Sequence, residues 1–157
     1  MALDVVEERQ RNAMDELHGY YIEELALGMS ALYARTVTDA DIVLFAGISG
    51  DGNPVHLNSE FAANTVFEGR IAHGMLTASF VSTVLGTKLP GPGCVYLSQS
   101  LRFKAPVRAG DTVNARVTIT DIVPAKRKVT LATVCTVGER VVLEGEAVVM
   151  VPARPAS

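Results

Sequence analysis

Two side chains able to move a proton stand five positions apart in the run Ser49-Gly50-Asp51-Gly52-Asn53-Pro54-Val55-His56: the carboxyl of Asp51 and the imidazole of His56. Pro54 fixes its own φ and pushes Asn53 toward extended geometry, so the bend between them is stiff and can hold both groups at one point. A carboxylate and an imidazole sharing one water can take its proton and return one elsewhere, which is general acid/base chemistry. Asp, Gly, Asn and Pro are also the residue types of an ordinary turn, and the residues alone leave both readings open. Metal chemistry fits less well. An EF-hand loop begun at Asp51 would need Gly where His56 stands and Glu where Ala62 stands. Asp51, His56 and His73 together could in principle hold a divalent metal but match no familiar ligand spacing, so a metal is not expected.

The second element is His73-Gly74-Met75-Leu76, which opens a stretch without charge up to Lys88. A helix over Gly74 to Thr87 fits it, with only Thr and Ser as polar side chains, and a helix with no charged face is expected to be buried all round. If Gly74 is its first residue, the Gly74 N–H is an unpaired donor at the positive end of the helix, with no Cβ to keep a ligand away. A carbonyl oxygen gaining charge would be stabilised there. The alternative is a helix that starts at Gly for packing reasons, with His73 a satisfied, partly buried histidine. Ser82 and Leu85 lie further along, Ser82 reading as a core hydroxyl bonded to its own helix.

These groups need a scaffold, and the rest of the chain supplies one. Asp4 to Leu17, closed by His18-Gly19, reads as a peripheral helix, so residues 1–19 are expected to form an appendage to a domain over 20–152, with 153–157 a loose tail. Ser30 to Thr38 alternates as a strand, Thr38-Asp39 caps a helix through Asp41 to Ala46, and Asn58-Ser59-Glu60 starts a short helix through Ala63. Leu89-Pro90-Gly91-Pro92-Gly93 breaks the uncharged helix. Strands follow over Cys94 to Phe103, Thr112 to Ile122, Lys128 to Val137 and Arg140 to Val151, the last two joined by a tight hairpin at Gly138-Glu139. In the second of these, Val113, Ala115, Val117 and Ile119 alternate with Asn114, Arg116, Thr118 and Thr120, a period of two with one wet face.

Bulk properties narrow the function classes. A chain of 157 residues is one domain able to bury a core without staples. Its net charge of -3 and single short basic run, Lys126-Arg127-Lys128, argue against a nucleic-acid partner. The two cysteines, Cys94 and Cys135, lie in strand-like runs without metal-ligand spacing and read as buried, reduced thiols, which suits the cytosol. No apolar run approaches the ~20 residues of a membrane span, and the acidic N-terminus is unlike an export signal. Hydrophobic residues make up 48% of the chain, a surplus that a subunit interface could absorb.

One long uncharged helix followed by antiparallel strands is best satisfied by an α+β hot-dog fold, a curved antiparallel sheet wrapped around a central helix. Pairing sheet edges in a homodimer would hide one exposed edge. Ser49 to His56, His73 to Leu76, and Phe103-Lys104-Ala105-Pro106-Val107 with Gly110-Asp111 resemble the MaoC-like (R)-specific enoyl-CoA hydratases, in order and with compatible gaps from about Thr36 to Val151. The resemblance implies a dimer that reversibly hydrates trans-2-enoyl-CoA to (R)-3-hydroxyacyl-CoA without metal or redox cofactor. It implies Asp51 and His56 as the catalytic pair, the Gly74 N–H as the thioester carbonyl site, Asn53 as a loop support, Ser82 near the site and Leu85 bounding the acyl pocket. A dehydratase acting on acyl carrier protein, and a non-catalytic acyl-thioester-binding module, are the competing readings.

Overall fold

Strands that alternate apolar and polar residues must lay one face on a core. The computed structural model, which describes residues 15–156, meets this with a five-stranded antiparallel sheet in the order β1-β3-β4-β5-β2. The strands are β1 (Ser30–Thr36), β2 (Val95–Phe103), β3 (Thr112–Val123), β4 (Lys128–Val137) and β5 (Arg140–Met150). Val113, Ala115, Val117 and Ile119 of β3 are buried, as the period of two predicts. The turn between β4 and β5 is two residues, with Gly138 at φ 57°, a value that favours glycine.

Between the two edge strands the chain makes four helices: α1 (Asp39–Ser49), α2 (Pro54–Leu57), α3 (Ser59–Ala63) and α4 (Gly74–Thr87). Leu76, Phe80, Val81, Val84 and Leu85 of α4 join Val117, Leu131 and Leu143 of the sheet in one core cluster, and the Phe80 ring meets Tyr33 of β1 edge-on at 5.9 Å between centroids. This is the α+β hot-dog arrangement expected from the sequence. The expected N-terminal helix falls for the most part outside the described residues. At the other end the tail is tethered: the Arg154 N–H donates to the Glu23 carboxylate, and the Arg154 guanidinium pairs with Glu24.

One expectation fails. The uncharged helix is not buried all round: Met75, Ser79, Ser82 and Gly86 are exposed in this chain, spaced so that they share one stripe of α4. Absence of charge did not mean burial, because serine, glycine and alanine tolerate water without requiring it. Ser82 is therefore not a core hydroxyl; Ser79, Thr83 and Thr87 are the side chains that bond back to their own helix, at the carbonyls of Leu76, Ser79 and Thr83.

α1 starts with a reciprocal cap. The Asp41 N–H donates to Thr38 Oγ1 at 3.1 Å, and the Thr38 N–H donates to the Asp41 carboxylate at 2.9 Å. The Thr38 N–H, with the Arg35 guanidinium, holds the Asp41 carboxyl below its ordinary range. A carboxyl depressed in the folded state stabilises above its unfolded value, and that contribution is lost as pH falls through the folded value. Asp41→Asn is expected to cost about 1 kcal/mol in urea unfolding at neutral pH, with the difference from the parent shrinking on acidification.

Candidate functional site

The first group is delivered by helix endings. α1 stops at Gly50, whose φ of 77° is the left-handed conformation of a helix C-cap, and the chain turns into Asp51. There the side chains act as local acceptors: Ser49 Oγ takes the Asp51 N–H, Asp51 Oδ1 takes the Asn53 N–H, and Asn53 Oδ1 takes the Val55 N–H. Asn53 is thus the N-cap of α2, and Pro54 occupies the first helical position, where its missing N–H costs nothing. His56 therefore stands on a helical turn, not in the loop the sequence suggested. The Asn-Pro pair was the available signal.

The imidazole of His56 is buried, with 7% of the residue exposed. Its Nδ1 lies 2.8 Å from the Ile71 carbonyl oxygen. A carbonyl only accepts, so Nδ1 carries a proton, and in the neutral ring Nε2 is bare. That bare nitrogen faces Asp51 Oδ2 at 4.0 Å, too long for a direct hydrogen bond but a separation that one water can bridge. The Asp51 side chain is about half exposed, at 51%, so the gap is open to solvent.

Arg70 and the residues after it fix this geometry. Arg70 Nε donates to the His56 carbonyl at 2.6 Å, and its guanidinium pairs with Asp39 at the start of α1 at 2.8 Å. The Ile71 N–H donates to Val55 O, and the Ala72 N–H to Val107 O. His73, 2% exposed, then caps α4. The N–H groups of Gly74 and Met75, in the first turn of α4, have no acceptor among the described residues, as helix starts require.

Beside Gly74 opens a cavity of about 390 Å³ walled mainly by apolar side chains, among them Phe67, Ile71, Met75, Phe103 and Pro106. A Cβ on Gly74 would sit 2.6 Å from the Phe103 ring, so glycine is the only residue that fits this contact unchanged. Asp51 and His56 do not line that cavity; Gly74 and Ile71 connect it to them. A second hollow of about 270 Å³ lies on the other side, between α1 and α4, and includes Phe45, whose ring is 4.9 Å from that of His73.

Two residues fall elsewhere. Leu85 is 1% exposed in the core and lines neither of these two hollows. Ser82 is exposed, eight residues beyond Gly74 and hence about 12 Å along the helix axis. The contacts made by Arg70, the Ile71 carbonyl and the ring of Phe103 were not read from the sequence, because their partners are distant along the chain. Asp51, His56 and His73 each bring one possible ligand atom within 4.8 Å of the others, and each histidine uses its other ring nitrogen on a backbone carbonyl, so the same three side chains could also hold a divalent ion.

A half-open carboxylate, a bare imidazole nitrogen across one water's width, and a free helix-start N–H at the mouth of an apolar hollow can together deprotonate a water and stabilise a charged carbonyl oxygen. Residues 26–141 match the family described as "MaoC like domain". The chain belongs to this MaoC-like family. It is 59% identical, over 89% of its length and 97% of the relative's, to an "(R)-specific enoyl-CoA hydratase" of Rhodospirillum rubrum. It is 50% identical to a "3-hydroxybutyryl-CoA dehydratase" of Methylorubrum extorquens, covering 88% of each chain. Among solved structures, "R-Hydratase PhaJ1 from Pseudomonas aeruginosa in the unliganded form" superposes with a TM-score of 0.81 at 41% identity, covering 87% of this chain and 88% of that one.

The Gly74–Phe103 contact of this MaoC-like chain predicts a measurable coupling. Gly74→Ala is expected to destabilise by about 1–3 kcal/mol through overpacking. In a Phe103→Ala background the same change should cost markedly less, a double-mutant cycle in urea unfolding giving the difference.

Proposed function

We propose that this chain is an (R)-specific enoyl-CoA hydratase, adding water reversibly to trans-2-enoyl-CoA to give (R)-3-hydroxyacyl-CoA. The observation that carries the reading is the pairing of His56 Nε2 with Asp51 Oδ2 across 4.0 Å. Water alone is too weak a nucleophile to add to Cβ. Held between the two side chains, it gives up one proton to the pair as its oxygen bonds to Cβ. The C=C electrons move toward the thioester carbonyl, whose oxygen gains charge, and the Gly74 N–H supports that oxygen, an effect of about 3 kcal/mol where one such donor has been removed from another enzyme. The pair then returns a proton to Cα on the same face, so that H and OH of one water are both accounted for.

Asn53 acts as a support by capping α2 under His56. The apolar hollow beside Gly74, rather than the surroundings of Leu85, takes the apolar part of the thioester. The functional unit is a homodimer: β2 is a sheet edge whose Val95, Tyr96, Leu97 and Phe103 are exposed in the single chain, and edge pairing would cover them. Among the described residues no helix is long and apolar enough to cross a membrane.

Crotonyl-CoA is the probe for the reaction, its enoyl absorbance falling as water adds. Asp51→Asn and His56→Gln should each lower kcat by about 100-fold or more. Retention of the parental rate in either variant removes that residue from the acid/base pair. Sedimentation of the full chain should give twice 16.7 kDa, and a monomer that turns over at full rate overturns the dimer as the functional unit.

A further inference from the structure

His73 is the most completely enclosed polar side chain near the pair, and nothing in the reaction just described uses its ring. Its Nε2 lies 2.9 Å from the Asp51 backbone oxygen, so Nε2 is the donor and carries the ring proton. Its Nδ1 is buried and has no partner among the described residues, a position in which a second ring proton would have nothing to bind. One face of the ring lies against His56, with centroids 3.8 Å apart, and Phe45 approaches at 4.9 Å. Through its backbone the same residue caps α4 and precedes Gly74.

These contacts converge on a single role. We propose that His73 is a positioning residue whose imidazole ties the Asp51 bend to the start of α4 and forms the floor on which the His56 ring lies. The tie spans 22 residues of sequence and joins the two halves of the site that the backbone otherwise connects only through α2, α3 and the following loop. The carboxylate that grips the water is on the tethered residue itself, and the N–H that meets the carbonyl oxygen is on the residue next to the tether. Water and acyl oxygen are thereby held at a fixed separation, which matters because small misplacements of reacting groups cost rate steeply. The ring leaves Nε2 of His56 untouched, since the contact between the two rings is face to face. The proposal rests on the hydratase reading and adds a residue to it.

The test compares the full chain with His73→Phe and His73→Gln, using crotonyl-CoA hydration. Phenylalanine keeps a flat ring under His56 but cannot donate to the Asp51 carbonyl; glutamine keeps a donor of similar reach but gives up the ring. His73→Phe is expected to lower kcat on the order of 100-fold while KM changes by less than about threefold, and His73→Gln to recover a large part of that loss. A His73→Phe enzyme with parental kcat, or one whose loss appears only in KM, overturns the proposal. NMR of the imidazole nitrogens in the unaltered protein reads the tether without any turnover and serves if a variant does not fold. The expected pattern is His73 protonated on Nε2 and His56 on Nδ1, and the opposite tautomer at His73 overturns the tether. If the unaltered protein fails to hydrate enoyl-CoA while the tautomers are as expected, it is the hydratase reading that falls and the tether that stands.

Discussion

Because a backbone carbonyl can accept but never donate, the Ile71 oxygen decides which nitrogen of His56 is left facing Asp51. The pair depends on where that one oxygen is held, and the structure holds it from several sides. The Ile71 and Ala72 amides are bonded to Val55 and Val107, and Arg70 reaches both the His56 carbonyl and Asp39. Arg108 in turn donates to the Arg70 and Phe67 carbonyls, tying the same loop to the turn before β3. Guanidinium groups suit this task because their donors are fixed in one plane and can serve two carbonyls or a carbonyl and a carboxylate at once.

The core provides the rigidity that this arrangement needs. α4 presents Leu76, Phe80, Val84 and Leu85 to the sheet, and its first residue, Gly74, is brought against the Phe103 ring at the end of β2. The free N–H at the helix start is therefore referenced to the sheet through packing, while Asp51 and His56 are referenced to α1 and α2 through hydrogen bonds. Interiors packed at crystal-like density yield little to small forces, so the two references remain in register.

How much of this was readable in advance depended on the range of the interactions involved. The Asp51–His56 bend and the Gly74 helix start were legible because glycine, asparagine and proline act on their immediate neighbours. The strands were legible for the same reason, through the alternation of Val113, Ala115, Val117 and Ile119. The turn carrying His56 was missed although Asn53 and Pro54 marked it, because Asp-Gly-Asn-Pro reads equally as an unstructured bend. Partners separated by many residues were invisible: nothing local announces that Ile71 O faces His56, or that Phe103 closes on Gly74. The settings of Leu85 and Ser82 were not legible for a third reason. Sequence shows that a helix lacks charge, but which of its uncharged faces meets the sheet is settled by packing, and packing sent Leu85 to the core and Ser82 outward.

The strand order carries a consequence for how such chains diversify. β3, β4 and β5 follow one another in sequence and occupy the middle of the sheet, whereas everything from residue 37 to residue 94 is strung between the two outermost strands. The loops of that excursion outside α4 can lengthen or shorten without changing which strands of the central ladder pair, since none of them contributes a strand. Substrate reach can thus drift while the scaffold stays constant, and the limit on that drift is set by the few carbonyls and arginines that must still meet beneath the imidazole.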